Sequence, residues 1–390
     1  MRFFINPRIL AAALLFGLLL SASVGRQAQA QIGGAAVVFL QIEPDSRSAG
    51  MGNAGVAMAD NAYAIFWNPA GLAFQEGTEA SLTHSNWLPE FNAGLFYEYL
   101  VAKHHVPGWG TFGAHLTYLF LGEHEGRDAQ NNPTGTFKSY DLALGGSYAF
   151  KATQRLGVGL GARLIYSNLA PGQVVGSQET KAGVSAGFDV ALLYQSPSIS
   201  LGGMDTRVDL GFNLANMGPT IQYSDNAQSD PIPTNLRFGY ALHFDFDEYN
   251  RLTWATDFNK MLIHVEVDTA AGINRPDPFY KAIFSSWQPI EVCSRTIGDC
   301  REDPSLYKSL GAVDQLTVGT GLEYWYNNLF ALRTGYFYES PYNGNRQFLT
   351  FGAGLRYNII GVDFSYIYAL EEDSPLSNTM RFSLLLNFKK

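Results

Sequence analysis

The sequence predicts an all-β fold: a transmembrane antiparallel β-barrel of about fourteen strands, with an N-terminal plug segment in its mouth or lumen. Three observations predict it. Segments of about ten residues alternate apolar with polar or small residues along nearly the whole chain after about Thr78. The chain carries 27 Phe, 21 Tyr and 40 Gly with only 16% charged residues, yet after residue 30 it holds no apolar run long enough for a transmembrane helix. The connections between the alternating segments are short on one side of the chain's up-and-down course, and several on the other side are long.

The first thirty residues stand apart from the rest. Arg2 and Arg8 give a positive start, Ile9 to Leu20 is apolar, and Ala28-Gln29-Ala30 is a small-x-small cleavage site, so residues 1–30 are expected to be a signal peptide and the mature chain to begin near Gln31. The apolar run is shorter than the roughly 20 residues that span a bilayer. No cysteine stands at the cut to carry a lipid anchor, and the export address points to the periplasm or beyond; with barrel strands the expected location is the bacterial outer membrane.

Formal net charge is −9. That removes the broad basic surface needed by a nucleic-acid binder. Cys293 and Cys300 lie close together in a polar stretch, and in an oxidising compartment they are candidates for a disulfide stapling a loop. Two isolated thiols make a poor metal site.

Strands are expected over 78–88, 92–104, 109–122, 138–152, 156–169, 182–196, 204–218, 234–247, 250–262, 314–328, 329–340, 345–358, 359–370 and 377–390. The later ones show the alternation best. Val318, Leu322 and Tyr324 oppose Gly319, Gly321 and Glu323, and Phe382, Leu384 and Leu386 oppose Arg381, Ser383 and Asn387. Period two gives each strand a wet face and a greasy face. A soluble sandwich would alternate too, but it has no reason to sort its loops by parity. Here Lys151–Arg155, Phe246–Asn250 and Asn358–Ile360 are short, while Gly122–Phe137, Leu169–Lys181, Gly218–Pro233 and Leu262–Val313 are long. A barrel with one rim in the periplasm and the other outside sorts them in this way, and closure leaves no unpaired edge in hydrocarbon.

Before the first strand lies a Gly/Ala-rich stretch, Arg47 to Phe74, within an expected plug or hatch segment over 31–77. Its Gly50-Met51-Gly52-Asn53-Ala54-Gly55 matches G-x-G-x-x-G. Dinucleotide binding would need a buried strand before it and a βαβ unit around it, and neither is visible. Glycines that allow close backbone approach inside the barrel explain the run better, with Asn68 and Pro69 forming its exit turn.

Those same residues carry a resemblance. Phe39-Leu40-Gln41-Ile42-Glu43-Pro44-Asp45-Ser46-Arg47, Ala49-Gly50-Met51-Gly52-Asn53-Ala54-Gly55-Val56-Ala57 and Trp67-Asn68-Pro69-Ala70 resemble the opening of the PorV/PorQ family. Ser139 to Leu144, Ile232 to Gly239, Leu332 to Glu339 and Asn378 to Leu385 extend the resemblance over essentially the whole mature chain. The resemblance implies a FadL-like fourteen-stranded barrel in the outer membrane of a Bacteroidetes-type bacterium, serving type IX secretion. It implies partners as well: an SprA-type translocon, cargo carrying a type IX C-terminal signal domain, and a PorU-containing attachment complex. It supplies no catalytic residue, no cofactor and no cargo-binding residue. The long cysteine-bearing loop, about 263–313, departs from the family pattern.

No other chemistry is legible. His104 and His105 are adjacent and fall on opposite faces of a strand end, which disfavours joint metal binding. Gly122-Glu123-His124-Glu125-Gly126 begins a polar loop and lacks the second histidine of a helical zinc site. On the wet faces Arg163, Asp189, Asp209, Arg237, Asp257, Glu323, Arg333, Arg356, Asp363 and Arg381 place both charge signs inside. They are expected to be lumen ion pairs bracing the plug, with a polar conduit as the rival reading. For function, the alternative to secretion is a FadL-like transporter of hydrophobic small molecules, and an outer-membrane enzyme has no residues behind it.

Overall fold

The structure is a computed structural model that describes residues 34–128, 130–175, 178–224, 229–268, 273–293, 303–372 and 374–388. The expected signal peptide and Cys300 lie outside the described residues. Within them, fourteen long strands run antiparallel: β1 (Thr78–Asn86), β2 (Phe96–Val106), β3 (Gly110–Arg127), β4 (Pro133–Lys151), β5 (Leu156–Asn168), β6 (Gly183–Gln195), β7 (Met204–Met217), β8 (Asn235–Asp245), β9 (Asn250–Met261), β10 (Thr317–Tyr326), β11 (Phe330–Glu339), β12 (Gln347–Tyr357), β13 (Ile360–Ala369) and β14 (Met380–Phe388). Each pairs with its neighbours in sequence, and β14 pairs with β1, Leu386 opposite Ala80 and Ser383 opposite Thr83, so the sheet closes into a barrel. A three-residue strand, Ile199–Leu201, folds back onto the start of β7.

Loop lengths obey the expected parity. The short rim turns are built by residues that tolerate left-handed backbone: Asn327 at φ 53°, Asn328 at φ 51° and Asn358 at φ 55°. On the other rim one expectation fails. The stretch 122–137, read as a loop, is a hairpin that prolongs β3 to Arg127 and starts β4 at Pro133, with a register shift between Phe120 and Glu123 and Gly122 at φ 100°. Glu123-His124-Glu125 therefore lies on a strand rather than in a loop. Beyond the hydrocarbon both faces of a hairpin meet water, so the period-two signal fades although the pairing continues.

Alternation sorts the side chains as the bilayer requires. Leu160, Leu164, Val184, Phe188, Val190 and Leu192 face outward and are exposed. The inward positions hold glycine, serine, threonine and charged residues, together with buried aromatic and aliphatic residues such as Tyr97, Tyr99 and Ile165. Unlike that of a soluble domain, the buried core lies between the wall and the chain threaded through it: residues 44–59 and 62–73 are all buried. Phe39, Ile65, Trp67 and Leu72 of this inner segment pack with Tyr97, Tyr99, Ile165 and Ile232 of the wall and its loops.

The long outer loop has structure of its own. A helix, Phe279–Ser285, follows the paired segments Val265–Asp268 and Ile273–Pro276, and Ile290–Cys293 pairs with Tyr307–Leu310. Asp277 fastens it, accepting from His264 Nδ1 at 2.9 Å, Ser285 Oγ at 2.7 Å and Lys281 Nζ at 2.6 Å. Cys293, at the end of its strand, is disulfide-bonded.

Candidate functional site in the barrel lumen

The inner segment enters beside the long connection between β7 and β8, where Ala36 N–H donates to Pro231 O at 3.0 Å. It leaves at the short-turn rim, where Thr111 Oγ1 donates to Gln75 O at 3.3 Å and Lys103 Nζ to Glu76 O. In between, its backbone is held by the wet faces of strands around the barrel.

Its first turn is set locally. Asp45 caps the helix Ser46–Ala49 by accepting from Ser48 N–H at 2.8 Å, and its other oxygen takes Trp67 Nε1–H at 2.6 Å. That second bond ties the opening turn to Trp67, twenty-two positions on and next to Asn68-Pro69-Ala70. Ser46 reaches the wall through Ser383 Oγ, at 3.0 Å from its N–H.

The glycine run comes next. Gly50 lies against the wall backbone, where an added Cβ would stand 3.1 Å from Gly352 Cα. Gly52 adopts φ +67°, and its N–H donates to Thr350 Oγ1 at 2.8 Å. The approach is mutual: a Cβ on Gly335 of β11 would collide with Gly52 N, and one on Gly319 of β10 with Gly52 O. Glycines on the wet faces are the spaces into which this backbone fits. Gly55 N–H and Val56 N–H both donate to Asp257 Oδ2, at 2.6 and 2.8 Å. A phosphate would need these N–H groups free, and wall side chains already occupy them.

Asn68 and Pro69 do more than turn the chain. Asn68 Oδ1 accepts from Ala70 N–H at 3.1 Å, opening the 3₁₀ helix Pro69–Phe74 with Pro69 at its first position. Asn68 Nδ2 donates to Val56 O at 2.9 Å and to Leu192 O of β6 at 3.0 Å, so one amide joins two parts of the segment to the wall. Beside it Asn213 Nδ2 donates to Trp67 O at 2.9 Å, and Arg237 Nη1 to Phe66 O at 2.9 Å. The Arg237 guanidinium also lies 4.4 Å over the Phe66 ring. The exit falls later than expected, because this helix is itself buried against the wall.

The charges expected inside are inside, but they divide into separate groups. One chain of ion pairs runs Asp60, Arg47, Glu323, Arg333, Asp363, Arg356: Arg47 meets Asp60 and, at 2.7 Å, Glu323; Arg333 meets Glu323 at 2.7 Å and Asp363 at 2.8 Å; Arg356 meets Asp363 at 2.6 Å. Three cations alternate with three anions, so the group is neutral and each buried charge has partners. A second tie joins Arg381 to Glu43 at 3.3 Å. By contrast Arg163 pairs with Asp189 inside the wall, and Asp209 with Arg207 and His243, both at 3.2 Å or less, so these do not brace the segment. His104 bonds Thr78 and His105 bonds Thr111, on different faces. Among the described residues no group of three or more His, Cys, Asp and Glu is arranged to hold a metal ion.

Sequence reasoning missed Arg47, Glu43, Asp45 and Asp60. Their signal was weak: they are the four charged residues of the stretch 31–74, two of them ahead of its Gly/Ala-rich part.

A family model described as Type IX secretion system protein PorV matches residues 25–268, more than half of the chain. The chain belongs to the PorV family. It is thus an outer-membrane β-barrel component of type IX secretion. The PorV match covers the inner segment and β1 to β9; the strands bearing Glu323, Arg333 and Asp363 follow it. No curated protein matches the sequence. Among solved structures, the barrel is similar to the Pseudomonas putida toluene transporter TodX (12% identity, 90% of this chain and 100% of that one, TM-score 0.49). It is also similar to the Ralstonia pickettii toluene transporter TbuX (15%, 89% and 99%, TM-score 0.44) and to a Pseudomonas aeruginosa FadL homologue (13%, 92% and 100%, TM-score 0.42).

Proposed function

We propose that this PorV-family barrel works through its surfaces: it binds an SprA-type translocon and the C-terminal signal domain of exported cargo, and passes that cargo to a PorU-containing attachment complex. It does so without catalysing a reaction. Residues 1–30 are its cleaved signal peptide, residues 31–77 its plug, and residues 78–390 the barrel. Gly50, Gly52, Gly55, Asn68 and Pro69 are the motif that seats the plug, and Cys293 with Cys300 staples the outer loop.

One observation supports a docking role above all. Wall side chains or carbonyls of β1, β6, β7, β8, β9, β10, β12 and β14 hydrogen-bond the inner segment, through Glu79, Leu192, Asn213, Arg237, Asp257, Glu323, Thr350 and Ser383. A lumen filled and fastened in this way leaves the rims, loops and outer wall to do the work. Deleting the gene should trap signal-domain cargo in the periplasm, and restoring the chain should release it to the surface. Normal surface display in the deletion strain would end the proposal. Peptide mapping without reductant tests the staple, since a Cys293–Cys300 linkage must appear as one cross-linked peptide.

A further inference from the structure

We infer that the membrane-level outer wall of β1 and β2 is a docking face for a second integral membrane protein and not a lipid-facing surface. The apolar belt differs in height around the barrel. Between β5 and β6 six consecutive outward pairs are apolar: Leu156 with Tyr194, Val158 with Leu192, Leu160 with Val190, Ala162 with Phe188, Leu164 with Ala186 and Tyr166 with Val184. At about 3.3 Å per residue and a tilt of about 40°, these ten steps rise about 25 Å, the height of an outer-membrane hydrocarbon band.

Between β1 and β2 there are two such pairs, Ala80 with Ala102 and Leu82 with Leu100. Polar pairs close them off at both ends. His84 faces Glu98, with Nδ1 to Oε1 at 2.8 Å, and Thr78 faces His104, with Oγ1 to Nδ1 at 2.7 Å. The six steps between those polar pairs rise only about 15 Å by the same arithmetic.

A tilted barrel would shift the belt on neighbouring strands as well, and it does not. In the same register rows, His84 is flanked by Phe382 of β14 and Glu98 by Tyr118 of β3, while Thr78 is flanked by Phe388 and His104 by Phe112. The polar notch is confined to two strands and bordered by lipid-type aromatics on each side. Lipid would have to thin locally to meet it, and a protein wall would not.

The chemistry of the notch describes its occupant. The Glu98 side chain is 35% exposed and its Oε1 is bonded to His84 Nδ1, so the face presents a carboxylate beside an imidazole at the outer-leaflet level. The partner that fits is a membrane protein offering a cation or hydrogen-bond donors at that depth. The small side chains of Ala80, Ala102 and, on β3, Ala114 lie side by side below and let its backbone come close. This goes beyond the secretion role proposed above, because it names a face and holds for any membrane partner of that chemistry.

Photo-crosslinking in intact outer membranes tests it. A photoreactive residue replaces Ala102 or Leu82 on this face, or Leu164 or Val190 on the β5–β6 face, in the full chain. The expected result is an adduct with one other integral membrane protein from the first two positions, roughly tenfold stronger than any from the second two. Adding His84→Leu and Glu98→Leu, which lengthens the belt, should lower that adduct about tenfold while the barrel still shows folded migration in unheated gels. Should that double variant fail to fold, Glu98→Gln is read in its place and should lower the adduct several-fold. Equal adducts from both faces, lipid adducts alone, an adduct with a second copy of this chain, or full yield from the folded variants would each overturn the inference. A deletion strain that secretes cargo normally would end the secretion reading and leave the crosslink result standing; a missing adduct would do the reverse.

Discussion

The two sides of the lumen hold the same inner segment by different means. Against β9 to β12 the contact is backbone on backbone, with Gly52 set between Gly319 and Gly335, and it is accompanied by the buried ion pairs of Arg47, Glu323 and Arg333. Against β2 to β8 apolar side chains add to backbone contact: the Ala70 backbone fits against Gly157 and Gly159 and Val56 O against Gly211, while Ile65 and Leu72 lie over Gly113, and Phe66 and Trp67 stack among Tyr99 and Arg237. Backbone contact and paired charge fix position and register and leave little room to adjust. Apolar side chains can change rotamer. Buried paired charge therefore distinguishes the first side, and apolar side-chain packing the second.

Single substitutions separate these roles, read by urea unfolding in micelles and by hydrogen exchange over residues 47–73. Glu323→Ala has the largest expected effect. It takes one of the two carboxylates from each of Arg47 and Arg333, both buried, leaves the group with an unbalanced positive charge, and should cost about 4 kcal/mol, with exchange rising first over 47–56. Ile65→Ala should cost about 3 kcal/mol by opening a cavity, with exchange rising over 62–73. If the two exchange patterns coincide, the division between the sides is wrong. Gly335→Ala and Gly113→Ala should each cost about 2 kcal/mol. They differ in rescue: the methyl on Gly113 meets Ile65 Cδ1, so Ile65→Val should recover most of its loss, whereas the methyl on Gly335 meets backbone and no side-chain change should help. Asn68→Ala removes a cap and two donor contacts and should cost about 1.5 kcal/mol, raising exchange at Ala70.

This comparison also accounts for what the sequence let a reader see. Lipid imposes period two on every strand, so regularities such as Phe382, Leu384 and Leu386 against Arg381 and Ser383 declare the wall directly. The wet-face glycines were visible as a pattern that fits close packing, but the backbone that each one meets was not. Gly335 is explained by Gly52, and nothing local in either stretch announces the other. Arg47 and Glu323 stand 276 positions apart, and their pairing follows from closure of the barrel, which no window of sequence contains. The hairpin at 122–137 was missed for the opposite reason, since its pairing lies outside the membrane where no solvent contrast marks the two faces.

The outer loop extends the contrast to a third kind of fastening and gives the smallest effect. Burial raises the Asp277 carboxyl, but hydrogen bonds from Lys281, Ser285 and His264, with the Lys281 charge, outweigh it and hold the group below its ordinary value. An acid depressed in the folded state contributes stability above its unfolded value of about 3.9, and that contribution is lost as pH falls through the folded value. The clasp is partly open to water through Lys281, so its worth is at most about 1 kcal/mol. Protease cleavage within 262–313 should thus be slow and flat from pH 7 to 5 and should speed up below about pH 4, using a protease active throughout. Asp277→Asn should cut faster at pH 7 and show no further rise on acidification. An unchanged rate in that variant would mean the loop is held by its strand pairs and not by this carboxylate, so that fastening by buried charge would belong to the lumen and not to the loop.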